Sequence, residues 1–437
     1  MLVPDCIVSI VPPKTEKIFI AYSGGMDSHV LLHLAALNAD LKSKITAVYI
    51  NHGLQIETDE WAEHCGKVAK ALGVKFECLK VKVQKTAGQS LEELAREERY
   101  RALKILLGPD DVVLLAQHRE DQMETVLLQL FRGAGVQGLS GMPASISFGL
   151  GLMCRPFLDI SKQEIDAYAA ERKLFWVEDP SNKSDDFDRN FLRNQVVPQL
   201  KQKWPALDKT IARSARHCAN AHHLSEKLAN ELLNYVVDKS DQTLIITHLL
   251  EFDINRQHLV IRQWFKANHL RMPAEKKIQG IVNEVINAKE SANPEARGQG
   301  YSIRRYRNKL YCLKIGDINQ ECSQQYWNEN SKQLELQDGS ILMLSESAEG
   351  IPKAEWSKAE VTVKYRQGAE KIRLPGRVGS HSLKKLYQEK SIPPWLRGNI
   401  PLLYLDNNLA AVADLWVSAD YFSHKNEPCY QVSWIKS

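Results

Sequence analysis

The sequence predicts an α/β fold, in which a doubly wound parallel sheet is followed by a helical middle domain and a small α+β C-terminal domain. Three observations support this prediction. Apolar strand patterns alternate with helical patterns over about the first 200 residues, which is typical of βαβ units and a parallel sheet covered on both faces. Long helical patterns then occupy much of residues 211–288. From Leu334 the chain changes to short strands broken by Gly, Pro and Asn.

The elements of the first domain follow from apolar periodicity and from residues that begin or end helices. Ser90 with Glu93 and Ser161 with Glu164 form capping boxes, and Gly73 is a helix-ending residue. In chain order, we predict a strand at 18–22, a helix at 28–37, a strand at 45–50, a helix at 58–73, a strand at 74–83, a helix at 90–107, a strand at 111–116, helices at 120–131 and from 161, and a short strand at 175–177.

The boundaries of the later domains follow from changes in pattern. Trp204-Pro205 marks the end of the first domain, and helical patterns at 211–237, 256–266 and 274–288 fill the second. A chain of 437 residues also suggests about three domains. The predicted domains are residues 1–205, 206–333 and 334–437.

Composition excludes several classes of protein. With 44% apolar and 25% charged residues, the chain has the profile of a globular protein with real cores. No apolar run approaches the ~18 residues that span a bilayer, and the first residues lack the pattern of a signal peptide. We therefore expect no membrane association and a cytoplasmic location. The eight cysteines include no CxxC pair, which argues against a zinc ribbon, an iron–sulfur site or a redox dithiol.

The loop Ser23-Gly24-Gly25-Met26-Asp27-Ser28 predicts a phosphate site between the first strand and the first long helix. Its glycines let backbone N–H groups approach an anion, and the helix N-terminus favours negative charge. Ser23 and Ser28 supply hydroxyl donors, and Asp27 can hold Mg²⁺ against phosphates. The loop lacks the lysine of a Walker motif. The alternative is an ordinary glycine turn with Asp27 or Ser28 as N-cap, which the position after the first strand disfavours.

Polar residues follow two further strands, where the ligands of an open parallel sheet bind. Asn51-His52-Gly53-Leu54 follows the second strand, and Gln117-His118 follows the strand at 111–116. Asp121 and Glu124 share a helix face beside His118, and such a carboxylate pair suits a cationic amine that must lose a proton. Complementation of the helix dipole explains these carboxylates equally well, at ~0.3–1 kcal/mol each. His52 on its own is a weaker indication of function.

Basic side chains indicate possible contacts with anions. Arg96 and Arg99 on one helix face can clamp a phosphate or carboxylate, although such faces are usually only solvated. Residues 371–397 carry seven Lys and Arg side chains against Glu389 alone, a net charge of +6. Arg304-Arg305 and Arg307 form a second cluster. Two basic regions favour a polyanion such as RNA, while a solvated basic face is the alternative.

These motifs together resemble a known family. SGGMDS is similar to the loop of the PP-loop ATP-pyrophosphatases, whose core is Rossmann-like. With NHGL, LAREERYRAL, AQHREDQMETVLLQLFRGAGVQGLSGM, RPFLDISKQEI and DPSNKSDDFDRNFLRNQVVP, the sequence resembles the tRNA(Ile)-lysidine synthetase branch. The resemblance is close over about residues 17–205, looser through YSIRRYRNKLY, and returns in LKKLYQEKSIPPWLRGNIPLLY.

The resemblance implies a reaction. ATP would adenylate the C2 oxygen of the wobble cytidine in a tRNA(Ile) with a CAU anticodon. The ε-amine of free L-lysine would then displace AMP to give lysidine. The implied cofactors are ATP and Mg²⁺, and the implied partners are the tRNA and lysine, with no membrane and no protein partner.

Family roles are carried over to the matching positions. Catalysis is expected of Asp27, His118 and Asp121, with Asp27 also near the metal. ATP is expected to bind Ser23, Gly24, Gly25, Met26, Asp27 and Ser28. Lysine is expected to bind Asp121, Glu124 and Arg99. The tRNA contacts are expected at Arg189, Asn190, Arg193, Lys384, Lys385 and Arg397.

Two positions depart from the family pattern, and two questions stay open. Glu120 replaces the Asp usual there, and Gln55 stands where many members have Arg, so no role is assigned to either. His118 and Asp121 are both candidates for the base that deprotonates lysine. The alternative functions are a tRNA thiolase, which the lack of a CxxC pair disfavours, a ligase for a small acid, and an inactive RNA-binding module.

Overall fold

The computed structural model describes residues 2–53, 58–83, 91–178, 187–289, 292, 294–314, 323–328, 330–424 and 427–436. The chain divides into two compact units, Met1–Glu226 and Lys227–Ser437, which are described separately. Within the described residues, no helix has both the length and the apolar character needed to cross a membrane.

The first unit contains a six-stranded sheet in the order β3-β2-β1-β4-β6-β5. The first five of these strands run parallel, and β5 is antiparallel to β6 at the edge. The strands are β1 Ile18–Ala21, β2 Ile45–Asn51, β3 Lys75–Lys80, β4 Val112–Leu114, β5 Ser145–Phe148 and β6 Gly151–Cys154.

Helices cover both faces of this sheet, as predicted. Along β1, Ile18 and Ile20 join one buried cluster and Phe19 joins another, because side chains of a strand alternate between its faces. The helices are α1 Asp5–Val8, α2 Met26–Ala36, α3 Ala39–Lys42, α4 Thr58–Ala71, α5 Leu91–Leu106, α6 Arg119–Phe131, α7 Val136–Leu139, α8 Lys162–Glu171, α9 Asp188–Phe191, a π-helical stretch Leu192–Val196, α10 Val197–Lys203 and α11 Leu207–Val236.

Local signals predicted the helix ends well, but one predicted strand is wrong. Ser161 and Glu164 form the expected capping box, and Gly73 follows α4 with a positive φ of 69°. Ser90 and Gln55 lie outside the described residues. Residues 175–177 form no strand; instead, the Val177 N–H donates to the Gly24 carbonyl oxygen at 3.0 Å. The fifth parallel strand is β6, which was not predicted.

The second unit begins with a helical region that also contains a four-stranded antiparallel sheet, order β7-β10-β9-β8. The helices were predicted and the sheet was not. Its core includes Trp264, Phe265 and Ile303. The elements are β7 Leu244–Ile245, α12 Ile246–Leu250, α13 Ile254–Ala267, α14 Glu275–Gly280, a π-helical stretch Ile281–Ile286, β8 Glu295–Gly298, β9 Tyr301–Tyr306 and β10 Lys309–Lys314.

The C-terminal region is α+β, as predicted. Its two larger sheets have the orders β11-β15-β18-β19-β20 and β12-β13-β21-β14, and β16 pairs with β17. Its elements are β11 Gln325–Tyr326, β12 Gln333–Glu335, β13 Ile341–Ser347, β14 Ile351–Pro352, α15 Lys353–Trp356, β15 Val361–Lys364, β16 Lys371–Arg373, β17 Ser380–Ser382, α16 Leu383–Glu389, a 3₁₀ helix Pro394–Asn399, β18 Leu402–Leu405, β19 Asn408–Val412, β20 Trp416–Val417 and β21 Cys429–Ile435.

Candidate active site

The loop between β1 and α2 has the geometry of an anion site. Gly24 has a positive φ of 84°, and a Cβ there would lie 3.0 Å from the Cys65 Sγ, so glycine is required. Gly25 is the N-cap of α2 and no side chain caps the helix. The Ser28 hydroxyl donates to the Gly25 carbonyl oxygen at 2.9 Å and lies 3.1 Å from the Ser23 hydroxyl. The first N–H groups of α2 are thereby left for a phosphate.

This loop forms one end of a cleft of about 620 Å³. The cleft gathers residues from the ends of three parallel strands, as expected for an open sheet. Its walls include Ser23, Gly25, Asp27, Ser28, Tyr49, His52, Arg96, Arg99, Tyr100, Gln117, Asp121 and Asn190. Nine of the residues expected to act at the site lie close together: seven line the cleft, and the buried His118 and Glu124 lie directly behind its wall.

Three carboxylates surround the buried imidazole of His118. Its Nε2 lies 3.4 Å from the Asp121 Oδ2 and 3.9 Å from the Asp27 Oδ2, and its Nδ1 lies 3.2 Å from the Glu120 Oε2. Burial lowers the pKa of His118, but the three carboxylates outweigh it and the pKa is raised above its ordinary value. His118 therefore stays protonated to higher pH than an isolated histidine.

Glu120 fixes this imidazole from behind. Its Oε2 also accepts the Lys162 backbone N–H at 2.9 Å, and its Oε1 lies 3.4 Å from the Lys201 Nζ. Burial raises the pKa of Glu120, yet the contacts with His118, the Lys162 N–H and Lys201 lower it to about 2. Glu120 is thus an anion throughout the physiological range, and the departure from the family's Asp keeps a carboxylate here.

Arg193 holds the carboxylate pair of α6. Its Nε and Nη2 donate to the two oxygens of Glu124 at 2.6 and 2.7 Å, and Nη2 also donates to the Asp121 Oδ1 at 2.7 Å. Burial lowers the pKa of Arg193, but Glu124 and Asp121 together raise it. The Arg189 Nη2 donates to the Thr125 hydroxyl at 2.7 Å. Both arginines contact α6, and the contact with RNA expected of them stays a prediction.

Asp27 has a cationic partner that the sequence did not suggest. The Lys162 Nζ, at the start of α8, pairs with the Asp27 Oδ1 and lies 3.4 Å from the Asp166 Oδ1. Lys162 lies within RPFLDISKQEI, the stretch quoted for the family resemblance, but no pattern in that stretch indicated this role. Asp27 keeps 35% of its side-chain surface exposed, so it is accessible from the cleft.

Comparison with known proteins decides the family. Models described as PP-loop domain, TilS substrate binding domain and TilS substrate C-terminal domain match residues 6–200, 244–311 and 361–434. The chain is 35% identical over 418 residues to tRNA(Ile)-lysidine synthase of Methylococcus capsulatus, covering 95% of each protein. It is 38% identical over 413 residues to the protein of the same name from Coxiella burnetii, covering 94% of this chain and 91% of that one. The chain belongs to the tRNA(Ile)-lysidine synthase family.

A solved structure is also similar to the C-terminal region of this family member. The structure described as the TILS C-terminal domain aligns over 26% of this chain and 98% of that chain, at 16% identity and a TM-score of 0.22. The family resemblance inferred from the sequence motifs is confirmed by the full-length relatives. The three-domain boundaries remain a prediction.

The basic residues of the C-terminal region separate into exposed and buried ones. Lys384 and Lys385 are exposed on α16. Arg397 is only 5% exposed, and its guanidinium donates to the Ile392 carbonyl oxygen at 2.7 and 2.9 Å and to the Tyr306 hydroxyl at 3.3 Å. The Nε and Nη2 donors of Arg397 are thus used within the protein, which gives this residue a structural role, and its expected contact with tRNA stays a prediction.

The net charge of residues 371–397 also overstates the exposed positive charge. Arg373 pairs with Asp420 at 2.9 Å, and Arg377 pairs with Glu389 at 2.9 Å. Asp420 lies outside residues 371–397, so the net charge of that segment does not include it. The positive surface that remains is centred on α16.

Proposed function

We propose that this protein ligates lysine to C2 of the wobble cytidine of tRNA(Ile) with a CAU anticodon, through an adenylated cytidine. One observation carries the proposal: a single cleft joins an uncapped, glycine-built phosphate loop to a cluster of carboxylates around His118. The loop suits the ATP half of the reaction, and the cluster suits an amine nucleophile. Exposed lysines on α16 and family membership favour a tRNA substrate.

In the first step, the cytidine O2 attacks the α-phosphorus of ATP. A P–O bond forms to O2, the bond between the α-phosphorus and its bridging oxygen breaks, and pyrophosphate leaves. The N–H groups at the start of α2 would bind the phosphates, because no side chain caps them and the positive end of the helix dipole lies there. The Ser23 and Ser28 hydroxyls keep the loop in this shape.

Asp27 is the residue that fits Mg²⁺. A bound Mg²⁺ would neutralise the phosphate charge that develops on the leaving pyrophosphate. Such an ion is typically held by one or two carboxylates together with the phosphates themselves. In the described part of the chain, no group of three or more His, Cys, Asp or Glu side chains is arranged to hold a metal. The partly exposed carboxylate of Asp27 beside the phosphate loop agrees with a metal held mainly by the nucleotide.

In the second step, the ε-amine of lysine forms a bond to C2, and the C2–O bond breaks so that AMP leaves with that oxygen. The ammonium must first lose a proton. We assign the ammonium contact to Asp121, which lines the cleft, and the proton transfer to the Asp121–His118 pair, whose atoms lie 3.4 Å apart. Arg99 across the cleft wall suits the α-carboxylate of lysine.

Glu124 supports this arrangement from behind the wall. Its side chain is only 2% exposed and both of its oxygens accept from Arg193, while the direct contact with lysine expected of it stays a prediction. We infer that Glu124 positions Arg193 against Asp121 and so fixes the carboxylate that meets lysine. The tRNA itself would contact Asn190 in the cleft and Lys384 and Lys385 on α16.

The proposal is tested by following pyrophosphate and AMP release from ATP with purified protein. We expect pyrophosphate release to require an isoleucine tRNA with a CAU anticodon, and AMP release to require lysine in addition. Equal turnover without tRNA would contradict the proposal, and so would AMP release that is indifferent to lysine. Sulfur transfer in place of lysine addition would favour a thiolase, a function that the lack of any CxxC pair disfavours.

A further inference from the structure

Gln117 lies three residues after the end of β4 and lines the cleft, and a buried arginine holds its side chain. The Arg155 Nε donates to the Gln117 Oε1 at 2.5 Å. Arg155 is 7% exposed and is itself fixed, because its Nη1 donates to the Pro143 carbonyl oxygen at 2.7 Å and its Nη2 to the Met153 Sδ at 3.2 Å.

This contact determines which way the Gln117 carboxamide faces. A guanidinium has N–H donors and no acceptor, so only the carboxamide oxygen can meet it. The Nε2 group of Gln117 must therefore point away from Arg155. Among the described residues, Nε2 donates to no protein acceptor, and Gln117 is part of the cleft wall. The Nε2 group of Gln117 is thus an N–H donor with a fixed orientation in the cleft wall.

The position of Gln117 relative to the other strands selects the ligand that meets this donor. The phosphate loop follows β1, which lies between β2 and β4 in the sheet. His118 and Asp121 lie on the β4 side, so the reacting base and the amine belong there. Residues 48–50 and His52 form the wall on the β2 side, which leaves that side for the adenosine of ATP.

We propose that Gln117 is a specificity-determining residue, whose Nε2–H donor, oriented by Arg155, selects cytosine over uracil as the base to be adenylated. This inference rests on the proposed function. Both bases present a C2 carbonyl oxygen that can attack ATP, so O2 does not distinguish them. Their N3 atoms do, because N3 is an acceptor in cytosine and carries a hydrogen in uracil. The fixed Nε2–H donor of Gln117 can therefore bind N3 of cytosine. With uracil, this donor would face the N3–H donor of the base, and neither would find an acceptor.

The test compares two transcripts of the isoleucine tRNA, with cytidine or uridine at the wobble position, in pyrophosphate release without lysine. Gln117→Glu presents an acceptor in place of the donor, because its second oxygen still meets Arg155. We expect the ratio of kcat/KM for cytidine over uridine to fall by about 10- to 100-fold relative to the wild type, with the KM for ATP unchanged. Gln117→Leu, which offers neither donor nor acceptor, should bring a smaller fall.

Controls separate this effect from charge, folding and failure of the proposed function. Gln137→Glu places the same new charge at an exposed position on α7 and should leave the ratio unchanged. Thermal unfolding of each variant checks its fold. Equal losses with both transcripts, or a raised KM for ATP with an unchanged ratio, would overturn the assignment; the second result would indicate adenine as the base that Gln117 contacts. If wild-type protein releases no pyrophosphate with either tRNA, the proposed function fails, not only this inference.

Discussion

Arg193 and Glu124, 69 positions apart in the chain, form a bidentate ion pair. The Nε and Nη2 of the arginine lie 2.6 and 2.7 Å from the two carboxylate oxygens. The same Nη2 reaches Asp121 at 2.7 Å. The pair joins the π-helical stretch Leu192–Val196 to α6, and it fixes the carboxylate that faces the cleft. The positive charge expected at the tRNA and the negative charge expected at lysine thus pair with each other in the folded protein.

Arg193→Ala should destabilise the first unit. It leaves Glu124 buried without its main partner, which costs about 2–4 kcal/mol of the free energy of unfolding. Burial already raises the pKa of Glu124 in the wild type, and the loss of Arg193, which lowers it, raises this pKa further above that in the unfolded state. Stability is therefore regained below the unfolded pKa and lost as pH rises through the folded pKa, so the deficit should shrink toward pH 4. Urea unfolding at several pH values measures this.

Arg189→Ala is the matched control for that variant. Its Nε lies 3.7 Å from Glu124, farther than the donors of Arg193, so its loss should cost less than 1 kcal/mol, roughly the worth of a partly exposed pair. Equal losses of unfolding free energy in the two variants would contradict the role given to the bidentate pair. A loss in Arg193→Ala that is independent of pH would contradict it too.

Asp27→Asn should abolish the first chemical step while leaving tRNA binding intact. The amide keeps the shape of the side chain but removes the negative charge that suits Mg²⁺. We expect pyrophosphate release to fall at least about 100-fold. Asp166→Asn makes the same change at the other carboxylate near Lys162, at 3.4 Å, and should change the rate less than about threefold. Comparable losses in both would indicate that the ion pairs of Lys162 matter rather than the metal.

Glu120→Gln should lower the pKa of His118. Among the carboxylates that raise this pKa, Glu120 has the largest effect and contacts the Nδ1 at 3.2 Å. Burial lowers the pKa of His118, and without the charge of Glu120 fewer groups counteract this effect. If neutral His118 takes part in deprotonating lysine, the acidic limb of AMP release should move to lower pH. NMR titration of the imidazole checks the pKa independently, and an unmoved imidazole would rule out the contact as its cause.

Glu120 should also govern stability in acid. Its pKa of about 2 in the folded protein lies below the ordinary value of 4.5. The stability it contributes is therefore present above the ordinary value and is lost as pH falls toward 2. Glu120→Gln should consequently flatten the acid limb of an unfolding curve between about pH 4.5 and 2. If stability depends on pH in the same way in the wild type and in Glu120→Gln, the pKa of Glu120 is not lowered in the folded protein.

Local features of the sequence predicted the helices and strands of the first unit well, but they did not predict the contacts between its charged side chains. The β1–loop–α2 unit is encoded within residues 18–36, because apolar alternation, two glycines and a helix pattern follow each other directly. The contact of Arg193 with Glu124 depends on the folded positions of two helices, and no spacing in the sequence encodes it. The run at 175–177 is apolar enough for a strand, but a hydrogen bond to Gly24 holds it against the phosphate loop instead.

Arg397 and the lysines of α16 should differ in what their loss changes. Arg397→Ala removes the donors to the Ile392 carbonyl and the Tyr306 hydroxyl from a buried site, so it should cost roughly 2–4 kcal/mol of stability. Lys384→Ala with Lys385→Ala should leave stability within about 0.5 kcal/mol. The double variant should reduce the slope of log affinity for tRNA against log salt by about one to two, because each phosphate contact releases counterions. Arg397→Ala should keep the wild-type slope wherever it is folded. Filter binding across a salt series, together with thermal unfolding, distinguishes the two variants. A reduced slope for folded Arg397→Ala would indicate that Arg397 contacts the tRNA.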